Sequence, residues 1–329
     1  MPDYVGGNRL TLLQNGAQYF PELARAIDAA AHDVYLETYI FADDQTGSLI
    51  ADALARAAAR GVAVHLLLDG FGARGFAPRF QEMLERAGAR VLVYRPDISP
   101  WTLRRNRLRR MHRKLACTDG VIAFVGGINV IDDFHTPGQT PPRYDYAVRI
   151  EGPLSALVRA EAARLWSRVA WTRLGQRWPR IDAMIGRRSE ATPPASATRG
   201  ETQRAALVVR DNVRHRRDIE QAYHELIDTA REEIVIACAY FFPGRRFRQA
   251  LARAAARGVR VRLLLQGKVE YVLLHFASRA LYGSLLDAGI EIHEYHKSFM
   301  HAKVAVFDRA RASVGSSNID PFSLLLARE

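Results

Sequence analysis

Ten consecutive residues occur twice in this chain. ALARAAARGV stands at Ala53 to Val62 and again at Ala250 to Val259. Each copy leads into an apolar run with a triple leucine, VHLLLDG in one case and VRLLLQG in the other. Beyond it, Gly88 and Tyr94 are matched by Gly289 and Tyr295, six residues apart in both places. A longer correspondence follows: Met111 to Asn129, MHRKLACTDGVIAFVGGIN, against Met300 to Asn318, MHAKVAVFDRARASVGSSN. Register kept over about a hundred residues implies two homologous halves rather than a chance match in an alanine-rich helix. It restricts the fold to two copies of one unit.

Within each copy, strands alternate with helices. In the first, Leu10 to Leu13 reads as a strand, Pro21 to Ala31 as a helix, and Asp33 to Phe41 as a strand. Gly47 to Arg60 is helical up to the stop at Gly61. Val62 to Leu68 is a buried strand, Arg79 to Ala87 a helix, and Arg90 to Tyr94 a strand. This pattern predicts an α/β fold whose halves are each a mixed, mostly parallel sheet flanked by helices, with the site at their interface. The first half is expected over 1–171, a linker over 172–205 and the second half over 206–329. The linker expectation rests on the Arg-, Thr- and Pro-rich stretch containing ATPPASATRG. Trp166, Trp171 and Trp178, just before that stretch, are expected to pack.

Composition narrows the function classes. The chain has 329 residues, 48% of them hydrophobic, and a formal net charge of +12. That charge favours anionic partners without separating nucleic acid from anionic lipid. The two cysteines, Cys117 and Cys238, lie inside apolar runs and read as reduced core residues. No apolar run approaches the roughly 20 residues needed to span a bilayer, so action on a membrane would be from its surface.

The paired runs carry the chemistry. His112 and Lys114, like His301 and Lys303, are two residues apart and therefore share one face of an extended segment. Phosphodiester cleavage or exchange needs an in-line nucleophile, an acid for the leaving alkoxide, and donors for the equatorial oxygens. Two imidazoles can supply the first two, since histidine titrates near working pH. Lys114, Lys303 and the amides of Asn129 and Asn318 can supply the donors. Nothing in the chain reads as a metal cage, and no cofactor is expected.

Both runs match HxKxxxxD, followed by Gly126-Gly127 or Gly315-Ser316 and then Asn129 or Asn318. The chain thereby resembles the phospholipase D superfamily over nearly its whole length. It looks closest to the bacterial cardiolipin synthases, particularly the shorter B-type, through LLQNGAQYFPELARAI, DYAVRIEGP, AYFFPGRRF and VGSSNIDPFSL. The resemblance implies that His112 is the nucleophile forming a phosphatidyl-histidine intermediate. It implies that His301 protonates the departing glycerol and then deprotonates the incoming hydroxyl, while Lys114, Lys303, Asn129 and Asn318 hold the phosphate. Asp119 and Asp308 complete the motifs in a mainly structural role. The implied substrates are anionic phospholipids, two phosphatidylglycerols or one with phosphatidylethanolamine. The implied location is the cytoplasmic face of a bacterial inner membrane, peripherally bound.

Each imidazole also needs an acceptor to fix its tautomer. Asp145 is expected to serve the first motif and Glu329, the last residue, the second. After Asn318 the second half has no counterpart of the strand and helix expected over 146–150 and 154–169. The expectation is therefore a fragment with an exposed sheet edge and a fraying Glu329. The segment Pro96 to Arg110 is inserted relative to the second half. With Trp101, Arg104, Arg105, Arg107, Arg109 and Arg110 it reads as a flap meeting lipid head groups.

Three other readings compete. A hydrolytic phospholipase D would share the whole site. A nuclease suits the charge, but small nucleases of the superfamily carry one motif per chain, so nucleic acid is not the expected partner. A non-enzymatic lipid-binding scaffold would tolerate loss of a histidine or lysine, and all four are present. Gly70, Gly72 and Gly75 imitate a dinucleotide fingerprint; the second half lacks them, so they read as a rim loop.

Overall fold

The structure, a computed structural model, describes residues 2–96, 109–136, 138, 140–174, 202–268, 272–325 and 327–329. In the first half, β1 (Val5–Gln14), α1 (Asn15–Ala29), β2 (Asp33–Thr38), α2 (Gln45–Ala59), β3 (Ala63–Asp69), α3 (Pro78–Arg86) and β4 (Arg90–Tyr94) follow in order. Then come β5 (Leu115–Thr118), β6 (Ile122–Gly126), β7 (Arg143–Tyr144), β8 (Tyr146–Glu151) and α4 (Pro153–Leu174). After β9 (Gln203–Ala205), the second half runs α5 (Asp218–Thr229), β10 (Glu233–Cys238), α6 (Arg245–Ala256), β11 (Arg260–Gln266), α7 (Val272–Arg279) and α8 (Tyr282–Leu286). It closes with β12 (Glu291–Tyr295), β13 (Phe299–Met300), β14 (Lys303–Phe307), β15 (Arg311–Val314) and α9 (Pro321–Leu325).

Two large sheets result, ordered β4-β3-β2-β5-β6-β8-β1-β9 and β12-β11-β10-β14-β15, with a two-stranded parallel sheet of β13 and β7. The βαβ units give parallel pairing of β2 with β3, β3 with β4, β10 with β11 and β11 with β12. Elsewhere the ladders are antiparallel, more of them than βαβ logic alone implies, because each motif is itself a hairpin. TDGV turns β5 back onto β6 with Asp119 at φ 56° and Gly120 at φ 69°; Asp308 and Arg309 do the same between β14 and β15 at 52° and 54°.

Helix α1 begins earlier than its periodicity suggests, with Pro21 inside it. Its start is held from a distance, since Asp133 Oδ2 accepts the Gly16 N–H at 2.7 Å. Both ends of the expected linker carry regular structure: α4 runs to Leu174, and Gln203–Ala205 joins the first sheet beside β1. Trp166 packs as expected, whereas Trp171 is exposed; Trp178 lies outside the described residues. Two of the rim glycines are required by close backbone approach, whereas a Cβ on Gly75 would meet open space. A Cβ on Gly70 would stand 2.3 Å from Arg95 O and one on Gly72 2.1 Å from Tyr39 O.

The halves differ in how their sheets are covered. In the first, α1 to α3 pack one face, and α4 covers the other around Tyr35, Leu67, Cys117, Val158 and Trp166. All six residues of β2 are therefore buried. In the second, α5 and α6 cover one face, and burial along β10 alternates. Val235, Ala237, Leu264 and Val304 are only partly covered, and Val306 is exposed. Among the described residues no counterpart of α4 follows β15, which is the edge of its sheet.

Two short crossings join the halves. β7 pairs in parallel with β13, and Arg328 bridges Met111 in parallel. Each half thus sends its segment after the Asn into the strand that leads to the other half's histidine.

Candidate active site

Extended backbone at 112–114 separates its side chains by face. Arg113 turns away from the site into a buried cluster, donating to Glu37 at 2.8 and 2.9 Å and to Glu161 at 3.1 Å. His112 and Lys114 take the other face. Met111 N–H, just before them, is held by Asp69 Oδ2 at 2.8 Å.

The crossings decide which acid serves which imidazole, and the outcome reverses the expected pairing. Asp145 does not serve His112: its Oδ2 lies 2.7 Å from His301 Nδ1. Glu329 serves His112 instead, with its two oxygens 3.0 and 3.2 Å from Nδ1. The reason is main-chain registry. His301 N–H donates to Tyr144 O at 2.7 Å and His112 N–H to Arg328 O at 2.8 Å, so the next residue along each strand, Asp145 or Glu329, faces the partner half's ring.

Nor does Glu329 fray. It is buried, exchanges main-chain hydrogen bonds with Arg210 at 3.0 and 3.2 Å, and accepts the Ser316 hydroxyl on Oε2. The fully buried Arg210 guanidinium donates to the carbonyls of Leu324 and Ala327, fixing the segment just before it.

Where the second half has Ser316, the first has Gly127. A Cβ there would stand 2.3 Å from Asp145 Oδ1, so glycine leaves room for the carboxylate. Both lysines fold back on their motifs. Lys114 Nζ donates to His112 O at 2.6 Å and lies 5.3 Å from the Tyr39 ring centroid. Lys303 Nζ donates to His301 O and lies 2.8 Å from His301 Nδ1 and 3.7 Å from Asp145 Oδ2. Asn129 and Asn318 are buried; Asn129 Oδ1 accepts the Ile40 N–H at 3.1 Å, while Asn318 Oδ1 has no hydrogen-bond partner among the described residues. The ring of Tyr39 meets His112 edge-on at 5.0 Å.

Asp119 and Asp308 lie away from this cluster. Asp119 accepts the N–H groups of Ala31, His32 and Asp33, each at 2.8 Å. Asp308 accepts those of Arg231, Glu232 and Glu233 at 2.8 to 3.0 Å. Each pins its hairpin to the start of the neighbouring strand. Of the expected lipid-facing flap, Trp101, Arg104, Arg105 and Arg107 fall outside the described residues. Arg110 is engaged inward, donating to Arg95 O at 3.3 Å and lying 4.0 Å from Asp69, while Arg109 is half-buried.

Burial dominates the electrostatics. It pushes Lys114 down to about 7, with Lys303 adding to the effect and Glu329 opposing it. It pushes Asp145 up to about 6 against the attraction of Lys303. Burial and Lys114 lower His112; burial, Lys303 and Arg143 hold His301 well below its usual range. For Glu329 burial works upward, yet His112, Lys114 and the Ser316 hydroxyl outweigh it and hold the carboxyl below its usual range. One imidazole–acid pair therefore contains a firmly ionised carboxylate and the other a carboxylate that titrates near neutrality.

Comparison with known proteins gives the family. The family model described as "Cardiolipin synthase, PLD-like domain" matches residues 23–166 and 223–329. The chain belongs to this family. It is 40% identical over 324 residues to cardiolipin synthase B of Escherichia coli K12, covering 98% of this chain and 75% of that one. It is 32% identical over 321 residues to cardiolipin synthase 1 of Bacillus cereus, covering 97% of this chain and 61% of that one. The crystal structure of the Haemophilus influenzae phosphatidylserine synthase superposes with a TM-score of 0.69 at 14% identity, over 99% of this chain and 82% of the other, a likeness of fold.

Tyr39, Ser316, Arg113, Glu37 and Arg210 were not singled out from the sequence as functional. Only Ser316 carried a signal, as the unmatched position in the otherwise repeated Gly-Gly and Gly-Ser pair.

Proposed function

We propose that the chain is a cardiolipin synthase that transfers a phosphatidyl group from one phosphatidylglycerol, or from phosphatidylethanolamine, to a second phosphatidylglycerol. The observation that carries this reading is the pair of crossed imidazole–carboxylate contacts, one Nδ1 tied to Glu329 and the other to Asp145. With each Nδ1–H donated to its acid, both Nε2 atoms are left for chemistry.

The first step forms a bond from His112 Nε2 to phosphorus and breaks the phosphorus–glycerol bond. The negative charge of the bound phosphate favours protonation of His301 against the burial and lysine charge that otherwise lower it. As an imidazolium, with Nδ1–H held by Asp145, it gives its Nε2 proton to the departing oxygen, and free glycerol leaves. In the second step His301 takes the proton from the glycerol hydroxyl of another phosphatidylglycerol. That oxygen attacks phosphorus, and His112 is released. His112 is the better nucleophile because the ionised Glu329 stabilises the cationic phospho-imidazole that forms. Lys114 and Lys303 hold the phosphate oxygens with the amides of Asn129 and Asn318. Asp119 and Asp308 act on the scaffold alone.

The enzyme works at the cytoplasmic face of a bacterial inner membrane, as two units over 1–171 and 206–329. No helix among the described residues is long and apolar enough to cross a membrane. Incubation with phosphatidylglycerol vesicles, read by mass spectrometry, tests the assignment. Cardiolipin with free glycerol supports it, and a chelator leaves the rate unchanged. Phosphatidic acid as the sole lipid product would mean that water resolves the intermediate, making the enzyme a phospholipase D.

A further inference from the structure

Three phenylalanine side chains stand in solvent at one end of the molecule: Phe71 is 48% exposed, Phe134 72% and Phe276 64%. Topology places that end. β2 and β3 run parallel, as do β10 and β11, while β5 and β14 run antiparallel to β2 and β10. The motif residues that precede β5 and β14 therefore lie at the carboxyl ends of β2 and β10.

The three rings emerge from segments at this same end. Phe71 is two residues past β3, and its N–H donates at 2.8 Å to Asp69, the carboxylate that also holds Met111. Phe134 lies past β6, in a segment whose Asp132 accepts its N–H at 2.7 Å and whose Asp133 O accepts the Arg143 N–H at 2.7 Å. Phe276 is on α7, where Ser278 Oγ donates at 2.7 Å to Phe241 O, just past β10. The rings are thus carried on hydrogen-bonded supports at the strand ends where the motif residues lie.

An isolated exposed ring on a soluble protein is ordinary. Three at the strand ends that carry the motifs, in a chain with net charge +12, fit a surface that is apolar within and anionic without. Arg74 adds the matching cation: its guanidinium sits 4.9 Å from the Phe71 ring centroid, where ring and charge would occupy successive depths of a lipid interface.

We infer that Phe71, Phe134 and Phe276 form a three-point wedge that inserts into the outer acyl region of an anionic bilayer and seats the catalytic mouth on it. The inference rests on the reading of a phospholipid substrate, but its test reads binding rather than turnover. Wild type and a Phe71→Ser/Phe134→Ser/Phe276→Ser variant would be sedimented with phosphatidylglycerol vesicles at physiological salt. Loss of three half-exposed rings should weaken partition by roughly a hundredfold. The far-UV spectrum and unfolding midpoint of the variant should match those of wild type, because the rings stand outside the core clusters of the described residues. In an otherwise wild-type chain, Phe134→Trp should be quenched by lipids brominated in the acyl chain. Equal sedimentation of the two proteins, or binding abolished by salt alone with no bromolipid quenching, would overturn the wedge. Failure of the synthase reading would appear separately, as vesicle binding without turnover.

Discussion

The two motifs are near-copies in sequence but not in setting. His112 is paired with a long acid, Glu329, that also accepts a serine hydroxyl; His301 is paired with a short acid, Asp145, packed against a glycine. Between His and Lys the first motif has Arg113, buried against Glu37 and Glu161, whereas the second has Ala302, with Ala237 in the place of Glu37. Duplication supplied equivalent strands, and divergence at a few contacts gave the two imidazoles different surroundings. A symmetrical-looking motif is therefore compatible with a division of labour.

The histidines give the largest test of that division. His112→Ala and His301→Ala should each lower turnover by at least about 10⁴-fold. Only His301→Ala should still accumulate phosphatidyl-protein, visible by intact mass after mixing with a substrate bearing a good leaving group. Adduct on His112→Ala instead would reverse the roles.

Removing the acids comes next. Glu329→Gln and Asp145→Asn should each reduce kcat by roughly 10²- to 10⁴-fold, through loss of tautomer control on the opposite half's histidine. Rapid-quench kinetics should show Glu329→Gln slowing adduct formation; an effect confined to adduct breakdown would refute the crossed assignment.

Arg113→Ala should destabilise the fold by about 3–5 kcal/mol, because Glu37 is left charged and buried without a partner. Ala302→Ser, its counterpart, should shift the urea midpoint far less. Exchange at the glycine–serine position is milder. Gly127→Ser should lower activity about a hundredfold by displacing Asp145, and Ser316→Gly only about tenfold through one lost hydrogen bond to a carboxylate.

The smallest effect concerns pH. Asp145 is ionised above about 6 and Lys114 charged below about 7, so kcat/KM in detergent micelles should rise through the first value and fall through the second. Lys114→Arg keeps its charge at higher pH and should move the alkaline limb upward. An unmoved limb would assign it to another group.

Much of this was readable beforehand, for physical reasons. The β-branched and apolar runs around β2, β3 and β4 are locally decisive, and the HxK spacing dictates which side chains share a face. The acid pairing was not readable. It depends on β7 and residue 328 crossing to strands of the other half, a long-range registry that leaves no local pattern. Judged by sequence distance alone, Asp145 belongs with the motif it follows. Arg110 is similar: its charge suggests lipid, while the sequence gives no sign of Asp69 and Arg95, which lie beside it in the fold. The buried state of Glu329 was hidden as well, since nothing near it in sequence announces Arg210 as its anchor.

Because each histidine takes its acid from the opposite half, neither half folded by itself holds an imidazole–carboxylate pair at its motif. During synthesis the first half can fold early and still be chemically silent beside the lipids it would attack. Both pairs are complete only when the second half docks and the two crossings close. On the chemistry proposed above, assembly of the interface would keep phosphodiester cleavage from starting before the whole chain has folded.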